Sequence, residues 1–196
     1  MYNKNATTND QLVKQIAEHY EAILRLIGED PTREGLVKTP TRAAKALLEN
    51  TYGYHQDPQE ILKAALFDHQ GREIVVVKDI EFYSLCEHHV LPFFGTVSVG
   101  YIPDGHIVGL SKLGRVVDVF ARRLQVQERL TQDICDELAR TVPNKGVIVV
   151  CEAQHLCMKM RGVEKQRATT VTMHYTGEFD DEATRSQFFR LLDMGK

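Results

Sequence analysis

The chain has 196 residues, of which 43% are hydrophobic and 26% charged, with four cysteines and a formal net charge of −3. This length predicts one core-forming domain with at most an appendage, and the composition excludes a disordered chain and a disulfide scaffold. The slightly acidic charge argues against a nucleic-acid partner, and the lack of about 18 consecutive apolar residues argues against a membrane partner.

The first ten residues, MYNKNATTND, are polar and lack the apolar segment of a secretory signal. We therefore expect a cytoplasmic protein, because the cytosol is the default compartment and keeps cysteines reduced. Cys135 and Cys151 lie in apolar runs, so we interpret these two as core residues. The other two cysteines, Cys86 and Cys157, are then the candidates for chemistry.

Helical signals dominate residues 1–70, which we interpret as an N-terminal helical arm. Thr8 and Gln11 have the pattern of a capping box at the start of a first helix. Its apolar positions recur at helical spacing and are Leu12, Ile16, Tyr20, Ile23 and Ile27. Thr39-Pro40 and Asp57-Pro58 each place a capping residue before proline, which predicts the starts of two further helices.

The pattern changes at Glu73, after which β-branched and alternating residues predict strands. The strands are predicted over residues 74–82, 94–102, 147–151 and 168–176. Two helices, the first capped by Ser111, separate the second strand from the third, and a last helix covers residues 182–192. We therefore expect an α+β fold with the core order β-β-α-α-β-β and a four-stranded, mainly antiparallel sheet. The two open edges of such a sheet favour pairing between copies of the chain.

Two short segments carry cysteine and histidine at the spacings of metal ligands. Cys86 and His89 form a C-x-x-H pair, which lets both side chains reach one ion from a turn. If strand geometry continues through His155 and Cys157, these two point to one face, about 7 Å apart. Two thiolates and one imidazole suit zinc and leave a fourth position for a reactive water. On spacing alone, core packing remains the alternative for each segment.

Several charged residues stand where a nucleotide could be bound, although no P-loop or dinucleotide-binding glycine motif occurs. Ser111-Lys112 begins a predicted helix with Arg115 one turn further on, which suits phosphate. Lys159 and Arg161 directly follow the second metal-ligand segment. Glu128 begins another helix, where a carboxylate is favourable for the helix dipole alone or could accept the N–H donors of a guanine edge. Each cation has an ordinary alternative as a solvated surface charge.

Five motifs together resemble the signatures of the GTP cyclohydrolase I family, in the family's order and over residues 12–192. They are Thr39-Pro40-Thr41-Arg42, Ser84-Leu85-Cys86-Glu87-His88-His89, Gly109-Leu110-Ser111-Lys112-Leu113, Gln125-Val126-Gln127-Glu128-Arg129-Leu130-Thr131 and His155-Leu156-Cys157-Met158-Lys159-Met160-Arg161-Gly162. The resemblance implies the tunnelling fold, with residues 71–196 as the catalytic domain. It also implies sheets joined edge to edge in a homodecamer of two pentamers, with active sites at subunit interfaces.

The reaction implied by the resemblance converts GTP and water to 7,8-dihydroneopterin triphosphate and formate, the first step toward tetrahydrofolate. Zn²⁺ would activate the water that attacks C8 of guanine, and its implied ligands are Cys86, His89 and Cys157. His88 would handle the proton at N7, and His155 would be the second acid–base group. The residues implied to bind GTP are Arg42 from a neighbouring subunit, Ser111, Lys112, Arg115, Gln127, Glu128 and Arg161.

Two alternatives belong to other functional classes. A catalytically inactive, zinc-stabilised module would be expected to lack His88 or His155, and both are present. A sibling pterin synthase or nitrile reductase of the same fold would carry a three-histidine zinc site or a cysteine nucleophile. The Cys-His-Cys pattern of this chain favours the cyclohydrolase over both siblings.

Overall fold

The computed structural model describes residues 10–194, so Thr8 and its predicted capping box lie outside the described residues. Contacts divide the chain into two compact units, one ending at His55 and one beginning at Gln56. We expected the helical arm to extend to residue 70. The helix Pro58–Lys63 belongs to the second unit instead, because Leu62 is completely buried in that unit's core.

The described part of the first unit, residues 10–55, contains two helices and a 3₁₀ turn, which are α1 (Asp10–Leu26), α2 (Thr39–Asn50) and Tyr52–His55. The two helices pack against each other. In α1 the buried residue is Val13, whereas Leu12 and Ile27 of the predicted apolar face are exposed. Thr39 is the first residue of α2 rather than its cap, and its hydroxyl donates to the Gly35 carbonyl at 3.3 Å.

The second unit contains α3 (Pro58–Lys63), β1 (Leu66–Asp68), β2 (Val75–Cys86), β3 (Pro92–Pro103), β4 (His106–Val108), α4 (Leu110–Ala121), β5 (Leu124–Gln125), α5 (Gln127–Thr141), β6 (Asn144–His155), α6 (Leu156–Lys159), β7 (Thr170–Gly177) and α7 (Glu182–Asp193). Asp57 caps α3 as predicted, since its side chain accepts hydrogen bonds from two backbone N–H groups. Ser111 lies within the first turn of α4, whose cap is Gly109, so the predicted Ser111 cap is wrong.

The main sheet has the strand order β5-β2-β3-β6-β7. The four long strands pair antiparallel, in the predicted core order β-β-α-α-β-β, which confirms an α+β fold. The fifth strand was not predicted, because β5 has only two residues and pairs parallel with β2 through Leu85–Leu124 and Cys86–Gln125. β1 and β4 form a separate two-stranded sheet.

Apolar side chains form two buried clusters. The larger one brings residues of α3, α4 and α5 together with residues of the long strands, and includes Leu62, Phe82, Phe93, Val116, Leu130 and Ile134. The smaller one consists of Ile102, Ile148, Phe179 and Phe188, so α7 contributes to it. Among residues 10–194, no helix combines the length and the hydropathy that a membrane crossing requires.

Candidate metal centre

Three strand ends meet at one end of the main sheet. β2 ends at Cys86, and β3 begins beside it, where Leu85 pairs with Pro92. On the other side of β3, Phe93 pairs with His155, the last residue of β6. Because both partners of β3 run antiparallel to it, the ends of β2 and β6 flank the start of β3.

The Cys86, His89 and Cys157 side chains converge at this end of the sheet. Their candidate ligand atoms all lie within 4.8 Å of one another, which is within reach of a single ion. Cys86 is buried, Cys157 is half-buried and His89 is exposed, so the site opens to solvent on the histidine side. The structure therefore brings the Cys86–His89 pair and the segment around Cys157 together, which the spacing of the residues alone could not show.

A tight turn presents His88 and His89 after Cys86. The Cys86 N–H donates to the Leu91 carbonyl at 2.8 Å, and the Val90 N–H donates to the Cys86 carbonyl at 2.8 Å. Val90 has a φ of 54°, which is a strained conformation for a β-branched residue. Strained residues of this kind cluster at functional sites, where the surrounding structure holds them.

The same turn is tied to the start of α5. The Glu87 N–H donates to the Gln125 carbonyl at 3.0 Å, and the Glu87 carboxylate forms an ion pair with Arg129. Arg129 also donates from Nε to Gln125 Oε1 at 2.9 Å. The role of Arg129 could not be predicted from the sequence, because a charged residue on an amphipathic helix gives no indication of a partner that is distant in sequence.

Cys157 reaches the cluster from a helical turn rather than from a strand. β6 ends at His155, and α6 begins at the next residue, with the Met160 N–H donating to the Leu156 carbonyl at 2.9 Å. The expected extended geometry through His155 and Cys157 is therefore not present. Burial and the neighbouring Cys86 thiol raise the pKa of Cys157, and the Arg161 guanidinium opposes that rise. Two adjacent thiols of this kind fit a divalent ion, whose charge favours the thiolate.

The two remaining histidines of the site have different surroundings. His88 is exposed, and its Nδ1 lies 3.8 Å from the Cys86 sulfur. His155 is half-buried and stacks on Phe93, with ring centroids 4.7 Å apart and an interplanar angle of 2°. Burial lowers the pKa of His155, and the charge of Glu128 acts in the opposite direction. A neutral imidazole in contact with the site is suited to accept a proton.

Gln127 and Glu128 begin α5 but face different surroundings. Glu128 is exposed in the first turn, near enough to His155 to affect its pKa. Gln127 is 1% exposed, and its amide oxygen lies 2.8 Å from His155 Nε2. We expected the Gln127 side chain beside Glu128 at a guanine edge, but its amide faces inward and is occupied by protein partners. The sequence carried no signal for this inward orientation.

The remaining predicted substrate residues lie on three segments. Arg161 follows α6 and is close enough to Cys157 to affect its pKa. Ser111, Lys112 and Arg115 lie in the first two turns of α4. α4 is about 18 Å long. The strand β5, which pairs with β2 at Cys86, follows the other end of α4. Arg42 is exposed on α2 of the first unit.

Comparison with known proteins finds similar sequences along almost the whole chain. The family GTP cyclohydrolase I matches residues 16–193. A GTP cyclohydrolase 1 of Porphyromonas gingivalis is 56% identical over 183 residues, covering 93% of this chain and 95% of that protein. A GTP cyclohydrolase 1 of Bacteroides thetaiotaomicron is 53% identical over 184 residues, covering 94% of both chains.

Among solved structures, an archaeosine synthase QueF-Like in the apo form has a TM-score of 0.44 and 20% identity, and covers 55% of this chain and 97% of that chain. The stretch matched by the family includes all three converging ligands, both flanking histidines and Glu128. On the extent and identity of these matches, this chain belongs to the GTP cyclohydrolase I family.

Proposed function

We propose that the protein is a zinc-dependent GTP cyclohydrolase. It would open the imidazole ring of GTP and rearrange the product to 7,8-dihydroneopterin triphosphate, with release of formate. The observation that carries this proposal is the convergence of Cys86, His89 and Cys157 next to two further histidines in a chain of this family.

Zinc is the metal that the donor set fits best. Two thiols and one imidazole are ligands of zinc, and three protein ligands are typical of catalytic rather than structural zinc sites. When bound, zinc supplies a Lewis acid that activates water at neutral pH. Cys86, His89 and Cys157 would hold the ion.

The two other histidines would move protons during ring opening. His155 has a pKa lowered by burial, so its ring is neutral near pH 7 and can accept a proton. Phe93 holds the plane of that ring by stacking. His88 is exposed beside Cys86, where it would handle the proton at N7 of the guanine.

GTP would be held at both ends by charged groups. Glu128, exposed near His155, would accept the N–H donors of the guanine edge. Arg161, near Cys157, would bind on the ribose and triphosphate side. The other ribose and triphosphate ligands would be Ser111, Lys112 and Arg115, together with Arg42 from a neighbouring copy of the chain.

The position of Ser111 and Lys112 supports an active site shared between copies of the chain. Both residues lie at the start of α4, whereas β5, the strand that pairs with β2 at Cys86, follows the end of α4. We therefore expect another copy of the chain to bring the triphosphate ligands to the metal centre. Within residues 10–194, β7 is an edge strand of the main sheet, and its Val171 and Met173 side chains are exposed. Both features fit the tunnelling fold and a homodecamer of two pentamers.

We place the protein in the cytoplasm, because thiol ligands require a reducing compartment. The reaction would be the first step toward tetrahydrofolate. The presence of His88 near Cys86 and of His155 two residues before Cys157 argues against a catalytically inactive zinc module.

The decisive experiment is incubation with GTP, followed by oxidation and measurement of pterin fluorescence, with formate measured in parallel. We expect turnover that stops with a chelator and returns with zinc. Cys86→Ala and Cys157→Ala should lose bound zinc and formate release together. Cys135→Ala, which removes a fully buried thiol outside the site, should keep both. Turnover that continues after complete removal of the metal would contradict the proposal.

A further inference from the structure

We propose that Gln127 is a positioning residue that fixes the tautomer of His155. It would keep the hydrogen of neutral His155 on Nε2, which leaves the lone pair on Nδ1. The catalytic use of that atom rests on the proposed function, whereas the tautomer itself does not.

The orientation of the Gln127 amide is set by backbone carbonyls. Its Nε2 lies 3.0 Å from the Cys151 carbonyl oxygen and 3.0 Å from the Thr170 carbonyl oxygen. Carbonyl oxygens only accept hydrogen bonds, so the NH₂ group must face them. The flipped amide would place Oε1 against both oxygens, in a position that is 1% exposed and closed to compensating solvent.

A pair of threonine hydroxyls supports the same orientation. Thr172 Oγ1 lies 3.2 Å from the Gln127 Nε2 and 2.6 Å from Thr131 Oγ1. Thr131 Oγ1 donates to the backbone carbonyl oxygen of Gln127 at 2.8 Å. The consistent assignment has Thr172 accepting from the amide and donating to Thr131. Each hydroxyl proton then has one acceptor. The two amide protons are shared among three acceptors, which are the Cys151 and Thr170 carbonyl oxygens and Thr172 Oγ1.

With the NH₂ group fixed, Oε1 is the amide atom that faces His155, at 2.8 Å from Nε2. Oε1 can only accept, so Nε2 must carry the hydrogen of this bond. A neutral imidazole has one hydrogen, and Nδ1 is therefore left with the lone pair. The parallel stack on Phe93 keeps the ring from rotating out of this geometry.

The test is ¹⁵N NMR of the full-length, metal-free protein labelled on histidine, at a pH where the ring is neutral. The His155 signals are identified by their loss in His155→Asn. We expect one nitrogen with the shift of a protonated Nε2 and one with that of an unprotonated Nδ1. A proton on Nδ1, or the averaged shifts of two exchanging tautomers, would overturn the proposal.

Variants separate this role from a structural one. Gln127→Met has similar length but no acceptor, and should give averaged His155 shifts while lowering kcat about 10- to 100-fold, with KM for GTP within about twofold. Thr172→Val removes one of three acceptors and should keep the wild-type tautomer. The wild-type spectrum decides the tautomer even if Gln127→Met does not fold. A fixed tautomer in a protein without GTP turnover would contradict the proposed function and leave this inference standing.

Discussion

Glu128 is the residue that we propose recognises the purine of the substrate. It follows the buried Gln127 on α5, yet its own side chain is exposed and acts on His155. Successive helix positions point about 100° apart, so one of the pair supports the site from inside and the other faces solvent. A substrate with N–H donors can reach only the exposed carboxylate.

Glu128→Gln should weaken GTP binding without releasing the metal. The substitution keeps the shape and removes the charge, and a hydrogen bond to a charged group contributes about 1.5–3 kcal/mol. We expect KM for GTP to rise about 10- to 100-fold, with zinc content unchanged by metal analysis. Glu182→Gln, at an exposed first-turn position of α7, is the matched control and should leave KM unchanged. Equal KM values for both variants would contradict the role of Glu128.

Val90 offers a test of strain beside the metal ligands. A left-handed conformation costs an L-residue about 1–2 kcal/mol, and asparagine tolerates it better than valine does. Val90→Asn should therefore stabilise the metal-free protein by about 1 kcal/mol in urea unfolding, with little packing lost at a half-exposed position. Val90→Thr keeps the β-branch and should bring no gain. A gain from threonine would indicate polarity rather than strain.

At the residue scale, the motifs predicted which residues belong to the candidate site better than they predicted which way the side chains point. The grouping of Cys86, His89 and Cys157 could be predicted from the combined motifs, although the spacing of each segment alone left core packing open. The inward side chain of Gln127 could not, because glutamine at a helix start has the same local sequence whether it faces protein or solvent. Its partners, Cys151 and Thr170, are distant in sequence.

Among the elements, α7 is capped at its start by the carboxylate of Asp181. Asp181 accepts hydrogen bonds from the Thr184 backbone N–H at 2.9 Å and from the Thr184 hydroxyl at 3.0 Å. These bonds lower the pKa of Asp181 below its ordinary value. A carboxylate with a lowered folded-state pKa stabilises the protein above the unfolded-state pKa, and this stabilisation is lost as pH falls through the folded-state pKa.

Asp181→Ala should lower the melting temperature at pH 7, and the difference from the parent should shrink below about pH 4, the ordinary carboxyl pKa. Thermal unfolding at a series of pH values measures this. Asp180→Ala removes an adjacent exposed carboxylate that is not the helix cap, and serves as the control. A difference that stays constant down to pH 2 would show that the cap does not act through its charge.

The long elements could be predicted because each repeats its signal, and the short helix α3 could be predicted from its cap, whereas β5 and α6 could not. The predicted third strand stopped at Cys151, where the continuous apolar run ends. The strand continues to His155 because Ala153 remains buried while Glu152 and Gln154 face solvent. β5 and α6 have two and four residues, and their structure is determined by neighbours rather than by local pattern.

For the second unit as a whole, only one of the two apolar clusters reaches the metal centre. The larger one contains Cys86 and Phe93, whereas the smaller one, around Phe188, contains no residue of the site. Stability and catalysis can therefore be changed separately through the smaller cluster.

Phe188→Ala should cost about 3–5 kcal/mol of unfolding free energy, because the ring is completely buried. Below its melting temperature the variant should keep zinc and the parent kcat. Phe189→Ala, at the adjacent and 40% exposed position, should cost much less. Loss of zinc from folded Phe188→Ala protein would show that the two clusters are coupled.

The candidate metal ligands lie on two segments that the pairing of β3 with both of its neighbours brings together. In an unfolded chain the donors are far apart, so an ion would bind the folded form much more strongly. Each tenfold rise in free ion above its dissociation constant then adds about 1.4 kcal/mol to the free energy of unfolding. The midpoint measured in any denaturation experiment would depend on the free-metal concentration of the buffer as well as on the amino-acid sequence.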